Sequence, residues 1–324
     1  MTDSPAPPRV LLDTNVWNYL VDHGGIEPMR KAVKARGICL IACPAVVYEC
    51  LRTSDRDRRR RLARALTRDT WSRVMPEAFS EAEDFRIEVS RVRPGWLMAS
   101  PDLRQWRLER SDWLGGFWRR VREDPHMVAR HVATVGSERL ERAQAETRAA
   151  RAEAHSRGHT LDNFIWDHNS TFTVPTPGWN GQDFETWRAA ALQHWWRDLV
   201  LGESRTMNDW LAPWLDLDAI RQDKASWVSF WTQEADTSAL PREWIRWAMA
   251  STQATRNVTT GTPGDNQLAT YLLDVDVFVT TDKAFVALIE AMRPHSPSPL
   301  AETRRGPSGA DAVGHVLDVL NELA

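Results

Sequence analysis

The sequence lacks the features of a membrane or secreted protein. No run approaches the roughly 20 apolar residues that a membrane helix needs, and the start MTDSPAPPRV has neither the basic nor the apolar region of a signal peptide. We therefore expect a cytoplasmic protein without membrane contact. Cysteine is scarce: three occur in 324 residues, without the paired spacing of a zinc module. An odd count does not suit a disulfide framework, so we expect Cys39, Cys43 and Cys50 to be small buried side chains.

An excess of basic residues is also absent. The formal net charge is -3 and the pI about 6.3, so the whole chain is not the basic body of a strong non-specific nucleic-acid binder. Residues 52–73 differ, because they contain nine arginines. This segment is either a solvated helix face or a phosphate-contacting surface. The candidate nucleic-acid contacts in it are Arg52, Arg56, Arg58, Arg59, Arg60 and Arg61.

The first region, residues 9–75, alternates short apolar runs with amphipathic ones. RVLLD and ICLIAC are typical of buried strands. Helical spacing predicts a helix from Thr14 into Asp22, a second over residues 27–35, and a third opened by Pro44, which suits a first helical turn. Strand, helix, strand, helix is the pattern of a parallel sheet with crossovers, so we predict an α/β domain.

The last region, residues 260–324, repeats this pattern. TPGDNQLATYLLD predicts a turn, a cap and a helix, VDVFVTTD a strand, and KAFVALIEAMR another helix. A loop rich in proline and serine follows over residues 294–309. A final helix is predicted from the spacing of five apolar residues, which are Val313, Val316, Leu317, Leu320 and Leu323.

The middle of the chain has a different composition. Between Trp96 and Trp247 lie 15 of the 17 tryptophans, mixed with arginine and glutamate in long helical patterns. We predict a large all-α insertion over residues 81–247, which interrupts a discontinuous α/β domain of residues 1–80 and 248–324. The tryptophans are most simply core side chains that pack helices together. The alternative is a stacking platform for nucleic-acid bases.

Four acidic residues are predicted to meet at one edge of the sheet. Asp13 and Asp282 each end a strand, Asp265 opens the helix before the second of these strands, and Glu49 lies on the apolar face of the helix opened by Pro44. Each aspartate could also be a helix N-cap, and Glu49 could pair with Arg52. Four gathered carboxylates repel one another unless a cation binds or some are protonated. Oxygen ligands without nearby His or Cys favour Mg²⁺ or Mn²⁺ over Zn²⁺.

The blocks VLLDTN, VVYECLR, GDNQLATYLL and VFVTTDKAF resemble, in order and context, the four signature blocks of PIN-domain nucleases. The resemblance covers about residues 9–75 and 255–292. It implies a three-layer α/β/α sandwich with a central parallel sheet, and metal-dependent hydrolysis of phosphodiesters, most often in RNA. The implied catalytic and metal-binding residues are Asp13, Glu49, Asp265 and Asp282, supported by Asn15 and Thr281. Lys283 and Ala284 stand where many members carry a further acid or polar residue, which bears on the binding of a second ion.

The resulting expectation is a Mg²⁺- or Mn²⁺-dependent endoribonuclease, by analogy toxin-like or related to stress or defence, whose insertion is a lid or a substrate or partner selector. A DNA-directed nuclease of the same fold is one alternative. A catalytically inactive PIN-like scaffold that binds a protein or RNA partner is another. A protein partner or inhibitor and a homo-oligomer both remain open.

Two other enzyme classes fit less well. A haloacid-dehalogenase-type phosphatase needs a second acid two residues after the first, and Asn15 stands there. A zinc or histidine-based hydrolase would have to use HTLDNFIWDHN. The spacing of its polar residues matches no ligand motif, so we interpret them as polar residues of the insertion. They are His159, Asp162, Asp167 and His168.

Overall fold

A sheet of five parallel strands forms the centre of the protein in a computed structural model, which describes residues 6–255 and 262–323. The strand order is β3-β2-β1-β6-β7, and a separate antiparallel pair joins β4 to β5. The strands are β1 (Arg9–Leu12), β2 (Cys39–Ala42), β3 (Ser72–Arg73), β4 (Asn169–Ser170), β5 (Phe184–Glu185), β6 (Val277–Thr280) and β7 (Glu302–Arg305).

The helices that alternate with the strands of the large sheet are α1 (Thr14–Asp22), α2 (Ile26–Arg36), α3 (Pro44–Leu51) and α4 (Arg56–Leu66). The middle of the chain contributes α5 (Glu77–Val92), α6 (Arg104–Ser111), α7 (Phe117–Glu123), α8 (Pro125–Ser156), α9 (Thr186–Trp195), α10 (Arg205–Leu211), α11 (Leu217–Gln222), α12 (Lys224–Ser229) and α13 (Pro241–Gln253). The last part contains α14 (Thr262–Thr270), α15 (Lys283–Met292) and α16 (Asp311–Glu322).

The register of the sheet places the apolar runs side by side. Leu11 of β1 lies opposite Ile41 of β2 on one side and Phe278 of β6 on the other. All four residues of β6 are buried. Because successive side chains of a strand point to opposite faces, both faces of the sheet are covered. The predicted α/β class and parallel sheet are therefore confirmed, as are the helices that begin at Thr14 and Pro44.

One strand lies where the sequence predicted a loop. β7 falls within residues 294–309 and pairs with β6 along its whole length. Its sequence, ETRR, contains no apolar residue. It lies at the edge of the sheet, where backbone pairing on one side suffices and charged side chains protect the free side. Hydrophobic patterning therefore could not detect it.

The tryptophans of the middle part are mostly core side chains, as predicted. Trp118, Trp187, Trp195, Trp210, Trp227 and Trp231 are among the largest fully buried residues. The ring of Phe85 on α5 stacks on Trp195 at a centroid distance of 4.5 Å and on Trp231 at 5.7 Å. The middle part is not purely helical, since it contains β4 and β5. Its strands are only two residues long, too short to give a periodic signal.

The middle part and the sheet share one apolar core. A single cluster of buried apolar residues runs from Val10 in β1 to Trp231 and on to Leu320 in α16. The long helix α8 contacts α3, α4 and α14 of the α/β part. The predicted boundaries after residues 80 and 247 lie inside α5 and α13. Within residues 6–255 and 262–323, no helix has the length and apolar character needed to cross a bilayer.

A buried group of charges links α5 to α13. Arg246 donates hydrogen bonds from Nε and Nη2 to the carboxylate of Glu81, which is 2% exposed. Glu243 lies one turn before Arg246 and is also buried. The charges of both carboxylates act on the guanidinium of Arg246, but only Glu81 is hydrogen-bonded to it. Burial raises the pKa of Glu81 from 4.5 to about 7, Arg246 opposes the rise, and the charge of Glu243 adds to it.

This raised pKa predicts a pH dependence of stability. Because the folded pKa lies above the unfolded value, the contribution of Glu81 to the free energy of unfolding is full below about pH 4.5 and is lost as the pH rises through 7. As the pH rises from 5 to 8, we expect wild type to lose up to about 3 kcal/mol in its free energy of unfolding relative to Glu81→Gln, whose side chain does not titrate. This is the change in the difference between the two proteins, whatever that difference is at pH 5. Urea unfolding at several pH values measures this difference. A difference that stays constant with pH would contradict the raised pKa.

Candidate functional site

Two of the predicted acids follow adjacent parallel strands. Asp13 comes directly after β1, and Asp282 comes two residues after β6. Because β1 and β6 are hydrogen-bonded in parallel, both acids lie at the carboxyl edge of the sheet. Asp282 is also the N-cap of α15, since its Oδ1 accepts hydrogen bonds from the backbone amides of Ala284 at 2.7 Å and Phe285 at 2.9 Å. Asp282 is therefore both the N-cap of α15 and one of the acids at the edge of the sheet.

Asp13 is a buried carboxylate with both oxygens engaged. Its Oδ1 accepts a hydrogen bond from the backbone amide of Thr14 at 2.6 Å, and its Oδ2 accepts one from the hydroxyl of Thr280 at 2.7 Å. Burial raises the pKa of Asp13 to about 7. The hydrogen bonds from the two threonines lower it, whereas the charges of Glu49 and Asp282 raise it further. Three of the predicted acids are therefore close enough to repel one another.

Glu49 is tied to the same edge through Thr14. The hydroxyl of Thr14 donates a hydrogen bond to Oε2 of Glu49 at 2.7 Å, while the backbone amide of Thr14 bonds Asp13. Glu49 lies in the second turn of α3 and is partly buried. Arg52 is exposed and forms no ion pair with Glu49 or with any other acid among the described residues. The partner of Glu49 is therefore a neutral hydroxyl.

Asp265 lies in the first turn of α14, close to the helix start at which the sequence placed it. Because the helix already begins at Thr262, the alternative that Asp265 is its N-cap does not apply. It is partly buried, and α14 packs against α3, which carries Glu49. Residues 256–261, which the resemblance also covers, lie outside the described residues.

The donor chemistry of this edge suits a hard cation, since carboxylate and hydroxyl oxygens are the ligands that Mg²⁺ and Mn²⁺ prefer. Both oxygens of Asp13 and one of Asp282 accept hydrogen bonds, and each of these oxygens keeps a second lone pair. Among the residues that the structure describes, no three His, Cys, Asp or Glu side chains converge as a group that could hold a metal ion.

The polar residues that support the acids are neighbours of those suggested by the resemblance. Thr14 and Thr280 donate the hydrogen bonds to the carboxylates. Asn15 is exposed, and Thr281 is partly buried. Thr280 also accepts a hydrogen bond from the backbone amide of Asp282 at 3.0 Å, so one hydroxyl links the two strand-end acids. In the sequence, Thr280 is the first of two threonines after the apolar run VFV, and no local signal distinguishes it from Thr281.

The arginines of α4 are largely engaged within the protein. Arg58 and Arg61 pair with Asp22 of α1, and Arg59 donates to the backbone carbonyl of Thr53. Arg60 approaches Asp57 only loosely, at 3.8 Å. Arg52 and Arg56 are exposed and make no ion pair among the described residues. The phosphate-contacting interpretation therefore applies best to Arg52, Arg56 and Arg60.

Comparisons of the chain with protein-family models, with curated proteins and with solved structures gave no match. The α/β class rests on the observed sheet.

Proposed function

We propose that the protein is a PIN-like, metal-dependent endonuclease that hydrolyses phosphodiester bonds, in RNA rather than DNA. The observation that carries the proposal is the placement of three acids at one sheet edge. Asp13 and Asp282 follow adjacent parallel strands, and Thr14 bridges Asp13 to Glu49. In open parallel sheets, ligands bind at this edge.

The electrostatics of the edge support the binding of a cationic ligand. Asp13 is buried beside two other carboxylates, and its raised pKa reports the free-energy cost of ionising it there. A divalent cation would relieve this repulsion. Since the acids do not converge as a metal-binding group among the described residues, we expect Mg²⁺ or Mn²⁺ to bind only with a change in the side-chain hydrogen bonds of this edge.

The test of substrate class is direct. The protein is incubated in Mn²⁺ with structured RNA, single-stranded RNA and DNA, each end-labelled, and the products are resolved by size. We expect internal cleavage of RNA. Cleavage of DNA alone would replace the proposal with the DNA-directed alternative, and the absence of cleavage in both Mg²⁺ and Mn²⁺ would count against an enzyme.

Metal binding is tested separately from cleavage. We expect Mn²⁺ to raise the thermal midpoint of unfolding, because a ligand that binds only the folded state stabilises it by about 2.7 kcal/mol at 100 times its Kd. Asp282→Asn should lose the shift while keeping the cap of α15, since asparagine caps helices as well as aspartate. The matched control is Asp318→Asn, an exposed position on α16. An unchanged midpoint in wild type favours the inactive scaffold.

A further inference from the structure

A cavity of about 840 Å³ lies away from the acidic edge, in the middle part of the chain. The end of α8, the outer face of α9 and the outer face of α13 form its walls, and residues 159–168 cover one side. The apolar part of the walls is mostly alanine and aromatic, and it includes Ala150, Ala154, Ala190, Ala250, Phe164 and Trp247. This volume is within the range of sites that enclose a small organic molecule.

Two of the polar groups that line the cavity, a carboxylate and a guanidinium, lie about one helical turn apart on α13. Glu243 accepts a hydrogen bond from Nε1 of Trp195 at 3.0 Å through Oε2. Its Oε1 has no hydrogen-bond partner among the described residues. Arg246 uses Nε and Nη2 to bind Glu81, which leaves Nη1 uncommitted, and its side chain is 27% exposed. Since both residues line the cavity, it presents an acceptor beside a donor.

Two aromatic residues, Phe164 and Trp247, lie next to each other in the lining of the cavity. The ring centroids of Phe164 and Trp247 are 6.3 Å apart at an interplanar angle of 54°, so the two rings touch and do not enclose a slot. A flat aromatic ligand would stack on these rings and keep its edge free for hydrogen bonds.

Exposed polar side chains also line the cavity. They are Arg157, His159 and His168, together with Glu153. Arg157 pairs with Glu153 at 2.6 Å, but both side chains are more than 60% exposed, so the pair is weak and Arg157 can turn to another anion. Burial lowers the pKa of His194, which also lines the cavity.

We propose that this cavity binds a purine nucleotide unit, with the base stacked on Phe164 and Trp247 and the phosphate at Arg157. The hydrogen-bonding edge of every nucleobase carries a donor beside an acceptor, which matches the free oxygen of Glu243 and the free Nη1 of Arg246. A purine is preferred to a pyrimidine because its two fused rings offer more area for stacking on the aromatic side chains. The volume admits the sugar and phosphate as well as the base. The histidines that line the cavity, which are His159, His168 and His194, do not form a metal centre, because no three metal-ligating side chains converge among the described residues.

The nucleotide has two sources that share this chemistry, a free mononucleotide or one unit of a nucleic-acid strand. The inference does not depend on the proposed nuclease activity, because none of the four acids of the sheet edge lines the cavity. An experiment can therefore refute nucleotide binding at the cavity without refuting cleavage at the acidic edge of the sheet, and the reverse is also true.

The test is isothermal titration calorimetry of the full chain with AMP, GMP, CMP and UMP, and with a short single-stranded purine RNA on the Asp13→Asn background. We expect AMP or GMP to bind more tightly than CMP or UMP. Ala250→Trp adds a large side chain to the α13 wall of the cavity and should weaken binding by about tenfold or more. Ala190→Trp, on the α9 wall, is the second filling variant if the first does not fold.

Gln193→Trp is the matched control, because Gln193 is exposed on α9 and does not line the cavity. It should bind as wild type does. Arg157→Ala should reduce the preference for AMP or GMP over the corresponding nucleoside. If wild type binds the RNA but none of the mononucleotides, and Ala250→Trp loses the RNA binding, the ligand of the cavity is one unit of a nucleic-acid strand. The proposal is overturned if no purine ligand binds wild type at millimolar concentration, or if folded filling variants bind with unchanged affinity.

Discussion

Asp13→Asn is expected to lower the rate of RNA cleavage in Mn²⁺ by at least about 100-fold, the loss typical of removing a charge that stabilises a transition state. The amide side chain can still accept the hydrogen bond from Thr14, and it can donate to the hydroxyl of Thr280 in place of the bond that Asp13 accepts. The shape of the edge is therefore kept while one of three crowded negative charges is removed.

The same variant should be at least as stable as wild type without divalent ions. The charge of Asp13 is buried beside Glu49 and Asp282, so its loss relieves repulsion. Cleavage rates and thermal midpoints are measured on the same preparations, with Asp318→Asn as the control for charge alone. Cleavage by Asp13→Asn at the wild-type rate would remove Asp13 from the site, and a large loss of stability would mean that its role is structural.

Glu81→Ala is expected to lower the free energy of unfolding by about 3–5 kcal/mol, because Arg246 then loses its hydrogen-bonded counter-charge inside the core. Glu81 lies on α5 and Arg246 on α13, so the variant also leaves a polar gap between two helices that pack together. Urea unfolding at pH 7 measures the change.

The matched control on the same helix is Glu83→Ala. Glu83 pairs with Arg86 at 2.9 Å with three-residue spacing, and both side chains are about a quarter exposed. Its loss should cost no more than about 1 kcal/mol. Equal effects of the two alanine variants would show that burial adds nothing to the Glu81 pair.

The parts of the fold that could be predicted from the sequence are those with a local pattern of apolar and polar residues. The apolar runs of β1, β2 and β6 and the helical spacing around them were sufficient, because a buried strand and an amphipathic helix each have a fixed period. β7 carries no such pattern, since its residues are charged and its pairing partner is more than 20 residues away in the chain.

The candidate site shows the same division. Asp13 and Asp282 were predicted to share a sheet edge because strand ends are visible in the sequence, and the register of β1 with β6 places them there. The roles of Thr14 and Thr280 depend on hydrogen bonds between separate elements. Glu81 and Arg246 are 165 residues apart in the chain, so no local sequence pattern could predict that they pair.

The concentration of tryptophan also determines what intrinsic fluorescence can report. Since 15 of 17 indoles lie between Trp96 and Trp247, the emission of the protein comes almost entirely from the middle part, whereas far-UV circular dichroism reports the helices of both parts. The first signal therefore follows the middle part, and the second follows the whole chain. Because those parts share a buried core, superimposable unfolding curves from the two methods would mean that the insertion and the sheet melt as one cooperative unit.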